Sequence, residues 1–220
     1  MKNPWLAVPA VAPFILPADS EIVERFNQTA SPKTRIDLNL LPEPFQGNPE
    51  APVVLLGLNP GLSGEDAATH ADTLFAERLR ANLAHDSADY PFYLLHPEVR
   101  GPGRNWWDRR LRRVLETAPR QRVAQRLLCI EYFPYHSVRF AARLRVPSQD
   151  YGFHLARQAV RRGAVVVIMR SHRLWYAAVP ELKSYERAFS LRSVRNISVT
   201  PNNCPLGFPA IVRAMDVSAS

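Results

Sequence analysis

The stretch Ala51-Pro-Val-Val-Leu-Leu-Gly-Leu-Asn59-Pro60-Gly61 constrains the fold more than any other part of the chain. Pro52 to Leu58 is a short apolar run, β-branched at Val53 and Val54, which suits a strand covered on both faces of a parallel sheet. Asn-Pro-Gly cannot extend it. The proline ring fixes its own φ and biases Asn59 toward extended geometry, and Gly61 tolerates positive φ, so the chain turns where the strand ends. The Asn59 amide is thereby placed at the carboxyl end of a parallel strand, the edge where open α/β sheets bind ligands. On its own, Asn59-Pro60-Gly61 also reads as a plain strand-to-loop turn.

Strand and helix signals then alternate. A helix is expected over about 72–84, where Leu74, Phe75, Leu79 and Leu83 share a face. Asn105 can cap the next, whose buried stripe is Trp107, Leu111, Val114 and Leu115. A second apolar run starts at Arg126 and ends in Glu131-Tyr-Phe-Pro-Tyr135-His136-Ser137. Ser148 can cap a helix running to Arg162, stopped by Gly163. Ala164 to Met169 is a third strand, ending in Arg170-Ser171-His172-Arg173, before a short helix stopped by Pro180. A fourth strand is expected at 194–200, and a last helix has Pro209 near its first turn.

This alternation predicts an α/β domain, a four-stranded parallel sheet with helices on both faces. One domain spans 1–220, with 1–50 as an N-terminal arm and a short helix starting at Asp19-Ser20-Glu21. Pro4, Pro9 and Pro13 break any signal-peptide core within the apolar start.

Charge is unevenly spread. Residues 1–99 carry 6 Lys/Arg against 13 Asp/Glu, whereas 100–173 carry 17 Arg against 4 Asp/Glu. A middle third at net +13 points to a polyanionic partner. A solvated basic surface is the competing reading, and 25 of the 28 basic residues being Arg fits a compositional bias. Aromatics interleave with these arginines at Trp106-Trp107 and Tyr132-Phe133-Pro-Tyr135, which suits base stacking. Cys129 and Cys204 form no disulfide framework, and neither cysteine nor histidine shows metal-ligand spacing. A cytoplasmic monomer with no metal, no cofactor and no membrane partner is expected.

Gly57-Leu58-Asn59-Pro60-Gly61 resembles the first active-site motif of the uracil-DNA glycosylase superfamily, especially its mismatch-specific and single-strand-selective branches. The order of elements is similar from residue 51 onward, but only this motif is close in letters. The resemblance implies a three-layer α/β/α fold and hydrolysis of the N-glycosidic bond of a flipped uracil, mismatched or modified pyrimidine in DNA. It makes Asn59 the group that positions the attacking water, with Gly57, Leu58, Pro60 and Gly61 around the base. Phe92 or Tyr93 becomes the ring that stacks on the base, unless both belong to the core.

The chain departs from the superfamily pattern at the second strand end, which lacks a base-reading Asn. Glu131, Tyr135 or His136 would serve there. The second motif corresponds to Pro201-Asn202-Asn203-Cys204-Pro205-Leu206-Gly207, which has no His. Asn202, Asn203, His172 or Arg170 would then donate to the departing base. Expected phosphate contacts are Arg104, Arg109, Arg110, Arg113, Arg170 and Arg173. The alternative is a catalytically silent nucleic-acid-binding protein on the same fold.

Overall fold

The computed structural model describes residues 1–141, 143–193 and 195–216. Its centre is the expected strand, β2 (Val53–Leu56). On one side it pairs in parallel with β3 (Leu127–Ile130), on the other with β4 (Val165–Ile168). All four residues of each of these strands are buried, as unbroken apolar runs require. A fourth parallel strand, β5 (Ala188–Ser190), lies beyond β4. An antiparallel strand, β1 (Phe45–Gly47), lies beyond β3, so the sheet is mixed and five-stranded, in the order β1-β3-β2-β4-β5.

Two expectations are corrected. The segment 1–50, expected as an arm and a short helix beside a four-stranded parallel sheet, also supplies the antiparallel strand β1, because Phe45 to Gly47 can pair with the free edge of β3. The fourth parallel strand falls at 188–190 rather than at 194–200. Residue 194 lies outside the described residues, and residues 195–200 form an irregular segment whose Val199 N–H donates to the Arg110 carbonyl (2.9 Å).

Eight α-helices occur among the described residues. The first, α1 (Pro17–Thr29), starts two residues earlier than the sequence indicated, with proline in its first turn. Its Asp19 is buried and accepts from Tyr135 Oη (2.6 Å) and the Ser148 N–H (3.0 Å), tying the arm to the domain. Trp5, in a short 3-10 turn over Pro4–Ala7, packs edge-on against Tyr135.

After β2 the loop forms a short helix, α2 (Asp66–Ala71), followed by α3 (Thr73–Ala84), which Asp72 caps by accepting from the Phe75 N–H. The arginine-rich helix, α4 (Pro102–Leu115), starts at proline rather than at Asn105, and buries Trp107, Leu111 and Val114. Next come α5 (Arg120–Gln125) and α6 (Gln149–Arg161), the latter packed on β3 and β4. Gly163 follows α6 at φ +76°, a conformation costly for any side chain. The last described helices are α7 (His172–Ala178) and α8 (Gly207–Asp216), the latter packed on β4 and β5. No described helix is long and apolar enough to cross a membrane.

The functional consequence lies in the register. Leu56 pairs with both Ile130 and Ile168, so Gly57, Glu131 and Met169 leave the sheet at one level. The chain runs from β2 to one neighbour and returns to the other. That reversal is a topological switch point, where such sheets open a crevice.

Candidate active site

The Asn-Pro-Gly turn is held from several sides. The Gly57 N–H donates to the Ile130 carbonyl (2.9 Å), and the Gly57 carbonyl accepts from Trp175 Nε1 (2.8 Å). The Leu58 carbonyl accepts from the Phe133 N–H (2.8 Å). Asn59 Nδ2 donates to the Pro60 carbonyl (2.8 Å), the Ser137 hydroxyl (3.2 Å) and the Ser137 carbonyl (3.3 Å). Two of these partners are carbonyl oxygens, which can only accept, so the nitrogen must face them. Asn59 Oδ1 is left as the free end of the amide, with no protein donor among the described residues.

Asn59 lines a cleft of about 320 Å³ at the carboxyl edge of the sheet, together with Glu131, Arg170, Trp106, Glu43 and His136. A larger hollow of about 420 Å³, near Asn27, Arg35 and Asp37, lies away from the strand ends. Chemistry converges on the smaller one, whose volume suits a small planar ligand.

Glu131 dominates the electrostatics of the cleft. Its Oε2 is buried and has no hydrogen-bond partner among the described residues, and Oε1 faces the Cys129 thiol (3.8 Å). Burial, and then the neighbouring Glu43 charge, push its pKa up to about 7, against the Leu58 amide, Arg170 and the Cys129 thiol. The carboxyl group lies directly over Gly57, where an added Cβ would stand 2.2 Å from Oε2. A side chain at position 57 would have to displace this carboxyl group, so glycine is favoured there by the contact and not by its φ.

Arg170 has a buried Nε with no partner among the described residues. The Arg110 guanidinium sits 5.2 Å from the Trp106 ring, and its pKa is lowered by burial and by the charges of Arg109 and Arg170. None of Arg109, Arg110 and Arg170 has an acidic partner among the described residues. This cationic group lies where Trp106 borders the cleft.

Several expected site residues are placed elsewhere. Phe92 and Tyr93 are 0% and 2% exposed and belong to the core, so neither offers a face to a base. Tyr135 is buried, its hydroxyl spent on Asp19 and on the Leu16 N–H (3.2 Å). Both ring nitrogens of His136 meet backbone carbonyls, of Gly61 (2.8 Å) and Leu41 (3.0 Å). His136 therefore borders the cleft without a free polar atom for a base.

Asn203 is saturated. Its Oδ1 accepts from the Ser193 N–H (2.8 Å), and its Nδ2 donates to the carbonyls of Asn196 (2.6 Å) and Ser198 (2.9 Å). Asn202 is exposed and does not line the cleft, and neither does His172, whose Nε2 is buried without a partner among the described residues and whose pKa burial lowers. Of the other arginines, Arg104 is committed to Asp108 (2.8 Å) and to the carbonyls of His96 and Val99, and Arg113 pairs with Glu116. Arg109 and Arg173 are exposed and unpaired among the described residues.

Sequence reasoning named Trp106-Trp107 among the aromatics suited to stacking but did not place Trp106 at the site, and it did not single out Ser137, Glu43 or His70. The signal for Trp106 was present: in a helix that buries Trp107, Leu111 and Val114, the preceding residue points about 100° away from the core. Glu43, His70 and His136 had no such signal, because they come from separate segments: the approach to β1, α2 and the loop after β3. His70 Nε2 stands 3.4 Å from Glu43 Oε1, and His136 Nε2 stands 4.0 Å from it. Burial would raise the Glu43 pKa, but His70 and His136 outweigh it and hold the carboxylate below its ordinary range. Burial lowers His136, against the pull of Glu43.

No protein-family model matches the chain, and searches of curated proteins and solved structures find no match either. The fold and the cleft therefore define an α/β protein with a polar, arginine-flanked site at its sheet switch point, and its function is argued from that site.

Proposed function

We propose that the protein is a DNA glycosylase on a three-layer, uracil-DNA glycosylase-like fold, hydrolysing the N-glycosidic bond of a flipped uracil, mismatched or modified pyrimidine. The observation that carries this reading is the fixed orientation of Asn59: its nitrogen is tethered to Ser137 and Pro60, and its oxygen is left free beside the cleft. An amide is no general base at neutral pH, so its contribution is to hold a water by one hydrogen bond below the anomeric carbon. The water oxygen bonds to that carbon as the sugar gains oxocarbenium character. The electron pair of the breaking C–N bond leaves with the base, and the water's proton passes to solvent.

Glu131 takes the place of the amide that reads the base in the resembling superfamily. A protonated carboxyl group offers one O–H donor and one carbonyl acceptor, the same pair as an Asn side chain. With a pKa of about 7 it holds that form under mildly acidic conditions and in about half of the molecules at neutrality. Arg170 supplies positive charge toward the departing base. Trp106, rather than Phe92 or Tyr93, is the ring on which a flipped base stacks. Arg109 and Arg110 contact the flanking phosphates.

A catalytically silent nucleic-acid-binding protein is the second reading, and the displacement of Asn202 and Asn203 from the cleft favours it. Incubation with duplex and single-stranded DNA carrying uracil, mismatched and modified bases, followed by abasic-site cleavage, separates the two. The proposal expects abasic sites on at least one base. Binding throughout with no abasic site on any substrate favours the silent reading.

A further inference from the structure

Glu43, His70 and His136 form a second constellation that the base-excision reading does not use. Their side chains are 10%, 6% and 5% exposed, and their ligand atoms all lie within 4.8 Å of one another. The arrangement around His136 is the informative part. Its ring nitrogens meet the Gly61 carbonyl (Nδ1, 2.8 Å) and the Leu41 carbonyl (Nε2, 3.0 Å), and Nε2 also stands 4.0 Å from Glu43 Oε1; in the tautomer that donates from Nδ1 to Gly61, the Nε2 lone pair is available to a cation. His70 Nε2 reaches the same carboxylate oxygen. Glu43 Oε2 is already occupied by Gln46 Nε2 (3.2 Å), which turns Oε1 toward the two imidazoles.

A carboxylate and two imidazoles that converge in a buried place need a proton or a metal ion between them. We propose that this cluster binds one divalent transition-metal ion of the zinc class through Glu43 Oε1, His70 Nε2 and His136 Nε2, with the Leu41 carbonyl beside it. Two imidazoles and a carboxylate are a borderline-hard donor set suited to Zn²⁺ and its first-row neighbours. Small side-chain rotations bring the ligand atoms to the roughly 3.3 Å separations of a tetrahedral shell with metal–ligand bonds of about 2.0–2.2 Å. The Gly61 carbonyl is the outer-shell acceptor that fixes a ligating histidine's tautomer.

That same hydrogen bond joins the ion to the Asn59-Pro60-Gly61 turn. Glu43 and His136 border the cleft, which gives the ion a route in from solvent. The ion's role is then to clamp the approach to β1, helix α2 and the loop after β3 around the turn. None of this depends on the base-excision reading.

The test is calorimetric titration of chelator-stripped full-length protein with Zn²⁺, repeated with Co²⁺ and Mn²⁺. The parent should take up one equivalent and gain thermal stability. His70→Ala and Glu43→Gln should each weaken binding by more than the ~10–100-fold that loss of an outer-shell partner costs, and His154→Ala, outside the cluster, should bind as the parent. Absence of uptake by the parent for all three ions overturns the proposal and assigns the cluster to protons alone. Folded His70→Ala and Glu43→Gln variants that bind like the parent also overturn it, placing the ion elsewhere. Should either variant fail to fold, X-ray absorption of the Zn²⁺-loaded parent decides: imidazole scattering from two histidines is expected, and its absence sinks the assignment.

Discussion

Asn59 Nδ2 donates to both the hydroxyl and the backbone carbonyl of Ser137, a residue 78 positions further along the chain. The end of β2 and the loop after β3 are thereby joined at the mouth of the cleft. Asn59→Ala removes this tether as well as the water-holding oxygen. We predict a folded variant destabilised by about 0.5–1.5 kcal/mol for each net hydrogen bond lost, with excision reduced on the order of 10²–10³-fold. Asn59→Asp should be less stable than Asn59→Ala, because its carboxylate would face the Pro60 and Ser137 carbonyls. Chemical denaturation combined with abasic-site assays checks both, and parent-level excision by folded Asn59→Ala would reduce Asn59 to a turn residue.

Gly57 and Glu131 are coupled by contact. An alanine Cβ at position 57 would stand 2.2 Å from Glu131 Oε2 and 2.6 Å from its carboxyl carbon. Gly57→Ala should cost about 1–3 kcal/mol as the buried carboxyl group is displaced. Glu131→Ala clears the space, so the double variant should be more stable than the two single effects added together. Additivity in a double-mutant cycle would show that the strain at Gly57 comes from its backbone.

Glu131 also sets a pH dependence. Its pKa is raised from 4.5 to about 7 in the folded protein, so the native state holds the proton more tightly than the unfolded chain. The associated stability is complete below pH 4.5 and is lost as pH rises through about 7. Glu131→Gln keeps the shape and cannot ionise. The parent should lose stability relative to this variant between pH 5 and 8, by at most on the order of 3 kcal/mol at ~1.4 kcal/mol per pKa unit. Urea titrations that run parallel for parent and variant over that window would contradict the assignment.

Two contributions to DNA binding should separate by salt. Arg109→Ala and Arg110→Ala should each make the slope of log affinity against log salt shallower by roughly 0.7–0.9, one released counterion per lost phosphate contact. Trp106→Ala should cost ~1–3 kcal/mol of affinity for a flipped base and leave the slope unchanged. Equal slopes for the arginine variants and the parent would remove these residues from the phosphate surface.

The sequence by itself determined the parts that depend on local chemistry. The apolar runs at 53–56, 127–130 and 165–168 had to be buried strands, Asn59-Pro60-Gly61 had to end the first of them, and Trp107, Leu111 and Val114 had to face inward by helical spacing. What it left open were interactions between distant segments. β1 is strand only because the edge of β3 was free to pair with it, and β5 falls at 188–190 because that segment meets β4 in register. Phe92 and Trp106 are both aromatic, and only packing decided that the first fills the core and the second borders the cleft. Asn203 and Asn59 carry the same amide; backbone partners from residues 193, 196 and 198 consume one, while Ser137 and Pro60 hold the other with its oxygen free. Burial over Gly57 and beside Glu43 made Glu131 a carboxyl group that titrates near neutrality, and the meeting of Glu43, His70 and His136 exists only once three separate segments fold against one another.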